Sequence, residues 1–222
     1  MGKAGVMSQI IKLLSISFFL FSLAHAALSN CTEAGTAAWS KQVRSLVPDC
    51  RTSISSPDGK KTLIMKRNGA LGFSLFGDAS LRPINYKVEP PAMASWSPAS
   101  SSFFINDGES SGMSSVFRFF RISGQHVTRD DSIQKAAVRR YRKTVGCLPS
   151  AIDPNVWGVG WSADGKKLFL LVQATVNESC GVADGFIGLI VNVSDNSVAE
   201  QLTTSQTTRR FRSLLRPELL QK

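Results

Sequence analysis

From residue 51 onward, short apolar runs alternate with polar turns. Leu63-Ile64-Met65, Phe103-Phe104-Ile105 and Leu168-Phe169-Leu170-Leu171-Val172 each follow a cluster of turn residues. Continuous apolar runs of this length suit strands covered on both faces. The preceding turns are Ser56-Pro57-Asp58-Gly59, Ser97-Pro98-Ala99-Ser100 and Ser162-Ala163-Asp164-Gly165. Asp-Gly signals a reversal because glycine accepts the positive φ that a Cβ resists, and Pro57 pre-sets φ at the start of the first turn. The pairs Lys60-Lys61 and Lys166-Lys167 then lead into the apolar runs. A second hairpin follows in each case. Its strands are predicted at 70–76, 115–122 and 186–193, with a fourth strand at 83–88, 125–129 and 197–203.

These strands make a repeat. Ser56, Ser97 and Ser162 lie 41 and 65 residues apart, and the excess of 24 equals the length of the stretch 130–153. The units are therefore about 51–90, 91–129 and 155–204, with a helical insertion before the third. In that insertion Ile133, Ala137, Tyr141 and Val145 recur at four-residue steps, a narrow apolar stripe for docking on sheets. Asp130 and Asp131 open it, and Arg139, Arg140, Arg142 and Lys143 fall late, which complements the helix dipole; Gly146 is a natural stop. Helices are also predicted at 33–46, from Ala34, Ala37, Ala38, Gln42 and Leu46, and over 207–220, limited by Pro217.

Trp161-Ser162-Ala163-Asp164-Gly165-Lys166 followed by an apolar strand resembles the repeat of TolB-type β-propellers, which also occurs in the propeller domains of prolyl-oligopeptidase-like enzymes. The first copy carries Ser55 where tryptophan is usual. The second keeps Trp96-Ser97-Pro98 but has Ala99-Ser100 in place of Asp-Gly. The resemblance implies a mainly β fold of blade-like, antiparallel four-stranded repeats. It also implies protein–protein recognition through loops rather than catalysis. Three units fall short of the roughly 4–8 blades of a closed ring. The expected architecture is an incomplete propeller, or one completed by a diverged unit, by a second copy in a homo-oligomer, or by open stacking.

The N-terminus places this domain outside the cytoplasm. Lys3 and Lys12 flank the start of an apolar run, Leu13 to Leu23, and Ala24-His25-Ala26 supplies the small residues of a cleavage site. Residues 1–26 read as a secretory signal peptide and 27–222 as the exported protein, secreted or periplasmic. The run falls short of the roughly 18–20 residues that span a bilayer. Leu28-Ser29-Asn30-Cys31 is a poor lipobox, and Gly2 lacks the serine or threonine that myristoylation needs. In an exported chain the even count of cysteines, Cys31, Cys50, Cys147 and Cys180, reads as two disulfides, with Cys31–Cys50 and Cys147–Cys180 the preferred pairing because each ties repeat borders. Asn30, Asn177 and Asn192 head glycosylation sequons.

Charge adds a second surface. The net charge of +10 falls to +8 without Lys3 and Lys12. Basic residues concentrate in 135–143 and 209–216, where Arg209, Arg210, Arg212 and Arg216 lie beside Phe211, Leu214 and Leu215. These segments suit a polyanion or another anionic surface. Catalytic signals are few. Gly108-Glu109-Ser110-Ser111-Gly112 matches a hydrolase nucleophile elbow, but no Asp or Glu lies between Ser110 and His126, and no βαβ alternation supports that fold. The stretch reads as a hairpin loop. His126 is an ordinary strand histidine, and neither Cys-x-x-Cys nor a phosphate-binding loop is present, so no metal site or cofactor is expected. Trp96 and Trp161 occupy equivalent repeat positions and read as core, which leaves Trp157 as the aromatic site candidate.

Overall fold

The computed structural model describes residues 40, 42–46, 51–89, 91–108, 115–148, 152–175 and 186–215. The expectations for the signal peptide, for Cys31, Cys50 and Cys180, for the sequons at Asn30 and Asn177, and for residues 109–112 and 216–222 lie outside them. The fold is mainly β, with three antiparallel sheets and two helices among the described residues. The first sheet holds β2 (Thr52–Ser55), β3 (Lys61–Met65), β4 (Ala70–Leu75) and β5 (Arg82–Lys87). The second holds β6 (Ala92–Trp96), β7 (Ser102–Asp107), β8 (Val116–Ser123) and β9 (His126–Arg129), with β1 (Arg44–Leu46) added beside β6. The third holds β10 (Asn155–Trp161), β11 (Lys167–Gln173), β12 (Phe186–Asn192) and β13 (Val198–Leu202). Each is a blade-like meander in sequence order.

The turns explain why the repeat begins where it does. In the first unit the Ser56 N–H donates to the Lys61 carbonyl at 2.8 Å, and the Ser56 hydroxyl donates to Asp58 Oδ1 at 2.5 Å. Lys60 N–H donates to the same oxygen at 3.0 Å, and Lys61 N–H to Ser56 Oγ at 3.0 Å. Ser162, Asp164, Lys166 and Lys167 repeat this network within about 0.1 Å. Gly59 and Gly165 take the left-handed position, and Ser100 takes it in the second unit at φ 56°. Ser100 is buried, and its hydroxyl accepts the Asp58 N–H of the first unit at 3.1 Å, a bond a glycine would lack.

The sheets are joined face to face by aromatic side chains. Trp96 and Trp161 are both buried, as their repeat positions predict. The Trp96 indole donates to the Ile54 carbonyl of the first sheet at 3.0 Å, and the Trp161 indole donates to Ser95 Oγ of the second at 3.2 Å. Trp96 packs with Phe103 and Phe120 in the core between the first two sheets, and Phe103 stacks on Phe120 at 4.8 Å between centroids. Trp161 packs with Phe104 and Phe119 between the second and third. Further polar ties cross the same gaps. Tyr86 donates to the buried Asp107 carboxylate at 2.5 Å, and the Asn106 amide exchanges two bonds with the Gly158 backbone at 2.9 and 2.6 Å. A Cβ on Gly158 would come within 2.5 Å of Phe104, so the close approach needs glycine there.

The two ends of the stack differ. Trp96, Phe103 and Phe120 lie opposite one another across their sheet, as do Trp161, Leu168 and Val191; the matching row in the first sheet is Ser55, Thr62 and Ser74. The first sheet has no preceding sheet among the described residues, and hydroxyls stand where the other two units carry the tryptophan row. A terminal repeat with a polar outer face is what an open stack requires. The sequence left ring closure and completion by a second copy open; this face carries no aromatic row for another sheet to cover. At the other end, α2 (Thr204–Arg210) seals the third sheet: Phe211 and Leu215 pack with Val159, Leu171, Ile190 and Leu202.

Two helical expectations change. Residues 33–46 were predicted as helix, but Arg44–Leu46 is strand, paired antiparallel with β6, because Leu46 is buried in the core between the first two sheets and the edge of β6 offers its backbone. Ser40 and Gln42 bond the bulged β10, the Ser40 hydroxyl donating to the Val159 carbonyl and Trp161 N–H donating to Gln42 Oε1 at 2.6 Å. The C-terminal helix begins at Thr204 rather than at 207, because Thr203 and Gln206 form a reciprocal capping box. By contrast α1 (Ser132–Val145) follows its stripe: Ile133, Ala137 and Tyr141 are buried between the second and third sheets, Val145 packs alongside, and Gly146 caps the helix at φ 73°.

Removing an indole should therefore act on the whole stack. Trp161→Ala is expected to lower unfolding stability by about 3–5 kcal/mol, and Trp96→Phe by about 1 kcal/mol, from the unmet Ile54 carbonyl. Ser55→Ala, on the exposed face, should stay within about 0.5 kcal/mol. Urea midpoints of the three variants check the order. Equal losses for Trp161→Ala and Ser55→Ala would contradict it.

Candidate functional site

One aromatic side chain stands apart from the packing just described. Phe76 is 86% exposed. Its N–H donates to the Lys60 carbonyl at 2.8 Å, so it continues the ladder of β4 and shares a face with Ser74. The equivalent residues are Ile122, whose N–H donates to the Ser101 carbonyl, and Val193, whose N–H donates to the Lys166 carbonyl. Both are half-buried against the core between their own sheet and the preceding one. Phe76 has no preceding sheet to meet among the described residues and projects into solvent.

The backbone beneath it is fixed. Asp78 accepts from the Ser80 N–H at 2.8 Å and hydroxyl at 2.6 Å, and from Arg82 Nη2 at 2.6 Å. Arg82 Nη2 also donates to Gln125 of the second sheet at 3.0 Å, so the turn after Phe76 is tied to its neighbour. Leu81 lies over Gly72, where a Cβ would come within 2.6 Å of it, and Ile64 is buried on the same face. This face thus carries hydroxyls at Ser55, Thr62 and Ser74, an aliphatic patch around Leu81, the exposed Lys87 opposite Ala70, and one projecting ring. An aromatic anchor held on a rigid backbone loses little conformational entropy when a partner covers it. No composition or motif rule singles out Phe76; aligning the repeats places it opposite Ile122 and Val193, and only their burial shows that it is different.

The basic residues separate into two surfaces. On α1, Arg139 and Lys143 are exposed; Arg140 and Arg142 are half-buried, and Arg142 pairs with Asp153 at 2.8 Å. Arg209, Arg210 and Arg212 are exposed on and after α2. The apolar side of α1 joins the core on one face of the third sheet, and Phe211 joins the core on the other. Trp157 is half-buried against the cluster that α2 seals. Its partial burial gives it a packing role beside whatever its exposed part contacts.

The remaining candidates sit in structural networks. Asp58 and Asp164 hold turns, as their sequence context predicts. Asp107, at the entrance to the Gly108 loop, accepts from Tyr86 and from the Glu89 N–H at 3.1 Å. Burial and the bonded carboxylate push the Tyr86 hydroxyl well above the usual tyrosine range. Cys147 packs against the core beside α1 and is not a free thiol. His126 is exposed on β9. Among the described residues no group of His, Cys, Asp and Glu is placed to hold a metal ion, and no helix is long and apolar enough to cross a membrane.

The turn carboxylates set a pH dependence. The Ser80 hydroxyl and N–H, with Arg82, hold Asp78 down at about 2. Ser56 and Ser162 likewise lower Asp58 and Asp164 from the ordinary value of 3.8, and Ser197 lowers Asp195. A carboxyl depressed by folding stabilises the fold above its unfolded value and loses that contribution as pH falls through the folded one. The urea midpoint should therefore decline as pH drops from about 4 to about 2, with a shallower decline in Asp78→Asn. A wild-type midpoint flat over that window would refute the assignment.

No protein family matches this chain, and no curated protein matches it. Among solved structures, TolB from Acinetobacter baumannii is similar over 72% of this chain, with 14% sequence identity and a TM-score of 0.33; the match spans 45% of that protein's chain, less than half its length.

Proposed function

We propose that this chain is an exported, non-enzymatic binding or scaffolding module that recognises a protein partner through the open face of its first sheet. The observation that carries this reading is Phe76, fully projected at a repeat position that is half-buried in the other two units. A stack covered by Phe211 and Leu215 at one end, with an aromatic ring projecting from the face at the other, offers a docking surface that needs no rearrangement. Hydroxyls in the row Ser55, Thr62 and Ser74 keep that surface wettable in the free protein. The signal-like N-terminus supports an exported module, in the periplasm or outside the cell.

A pull-down tests this. Tagged residues 27–222 are exposed to the source's envelope and secreted fraction and washed at rising salt. A stoichiometric protein retained through high salt on the wild type and lost on Phe76→Ser is the expected result. Phe76→Ser should leave the urea midpoint within about 0.5 kcal/mol of wild type, since the ring makes no core contact. Retention of the same protein by Phe76→Ser and Thr62→Lys alike would place recognition elsewhere.

A second reading, binding to an anionic surface, rests on α1. Lys135, Arg139 and Lys143 are exposed at four-residue steps, and no Asp or Glu lies between Ser132 and Val145. Like charges so spaced repel one another unless an anion lies across them. Arg209, Arg210 and Arg212, exposed on and after α2, are a second basic segment for the same reading.

A further inference from the structure

Large exposed apolar side chains are rare among the described residues: Phe76, Leu148 at 72% and Ile152 at 58%. Leu148 and Ile152 both belong to the connection that leaves the C-terminal end of α1. Gly146 turns the chain in a left-handed cap, and the Cys147 N–H donates back to the Arg142 carbonyl at 3.0 Å, which fixes the exit toward Leu148. Asp153 returns to the same residue through its ion pair with Arg142 at 2.8 Å, which holds Ile152 at the same helix end. Each aliphatic thus has a chain neighbour bonded to Arg142: Cys147 beside Leu148, and Asp153 beside Ile152. Beside them runs the row of Lys143, Arg139 and Lys135, spaced about 6 Å apart along the helix axis.

We propose that this end of α1 is a peripheral attachment site for an anionic lipid bilayer surface. Leu148 and Ile152 enter the boundary between headgroups and acyl chains, and Lys143 and Arg139 lie against lipid phosphates. The inference rests on the anionic-surface reading and goes beyond it by naming the partner. Charge alone would suit any polyanion. The adjoining apolar side chains distinguish lipid: a polysaccharide or nucleic acid strand would leave Leu148 and Ile152 in water, and neither is an aromatic on which a base could stack. A bilayer surface offers both phosphate and hydrocarbon within a few ångströms of depth, the pairing that interfacial segments use.

The test is co-sedimentation of residues 27–222, which retain the compact unit Gly35–Lys222 and omit the apolar run before it, with phosphatidylcholine vesicles made with and without phosphatidylglycerol. Binding should require the anionic lipid and fall as salt rises. It should drop about tenfold or more in Leu148→Ser/Ile152→Ser and be abolished in Arg139→Glu/Lys143→Glu, with the urea midpoints of both variants confirming that they fold. Absence of wild-type binding, or binding that the Leu148→Ser/Ile152→Ser pair leaves unchanged, overturns the lipid assignment. Retention on immobilised heparin that Arg139→Glu/Lys143→Glu removes, without vesicle binding, would overturn it while leaving the anionic-surface reading intact; loss of both would remove that reading too.

Discussion

The fold depends on one recurrent contact: an indole at the end of the first strand of a unit, pressed against the preceding sheet and bonded to it. A four-stranded meander with two apolar faces cannot be stable alone, because both faces would then lie in water. Trp96 and Trp161 solve this by placing a large ring between sheets while giving the indole N–H an acceptor, Ile54 O or Ser95 Oγ. The ring supplies apolar area, and the bond sets how far one sheet slides on the next. Phe103, Phe104, Phe119 and Phe120 then fill the gaps around these fixed points.

The same constraint decides where surfaces are available. Every unit directs one row of side chains backward, and in two units that row is Trp-Phe-Phe or Trp-Leu-Val. In the first it is Ser55, Thr62 and Ser74, with no sheet behind it among the described residues, and Phe76 escapes burial as a consequence of position rather than of its own chemistry. At the opposite end the third sheet still presents an apolar face, including Phe169, and Phe211 and Leu215 cover it. The helical insertion fills the space between the second and third sheets with Ile133, Ala137, Val138 and Tyr141, which leaves its basic side outward. Candidate surfaces for recognition are by-products of how the stack ends and of where the insertion had to dock.

Much of this was legible along the chain. The strands of all three units lie within a residue or two of their predicted limits, because short apolar runs between Asp-Gly or Ser-Pro turns have few other solutions. The stripe of α1 was legible for the same reason: a period near four over fourteen residues is strong. The segment Arg44–Leu46 departs from the helical expectation: its alanine-rich surroundings favour helix locally, while the bond-forming edge of β6, some fifty residues later, favours strand. Propensity amounts to tenths of a kcal/mol per residue, and a vacant sheet edge with a buried leucine outweighs it. The early start of α2 was present in the sequence as Thr203 and Gln206, a reciprocal cap that the periodicity of Arg and Leu farther on concealed.

By itself the sequence determined the repeat, its turns, the place of the insertion and the segregation of basic residues, since each of these depends on neighbours within a few positions. Which faces those repeats bury was decided only in three dimensions. Ser55 stands where two tryptophans stand, and Phe76 where Ile122 and Val193 stand; in the sequence these look like drift from a consensus. Stacking gives them meaning, because burial depends on whether another sheet lies behind, and that is a property of the assembled chain rather than of any segment of it.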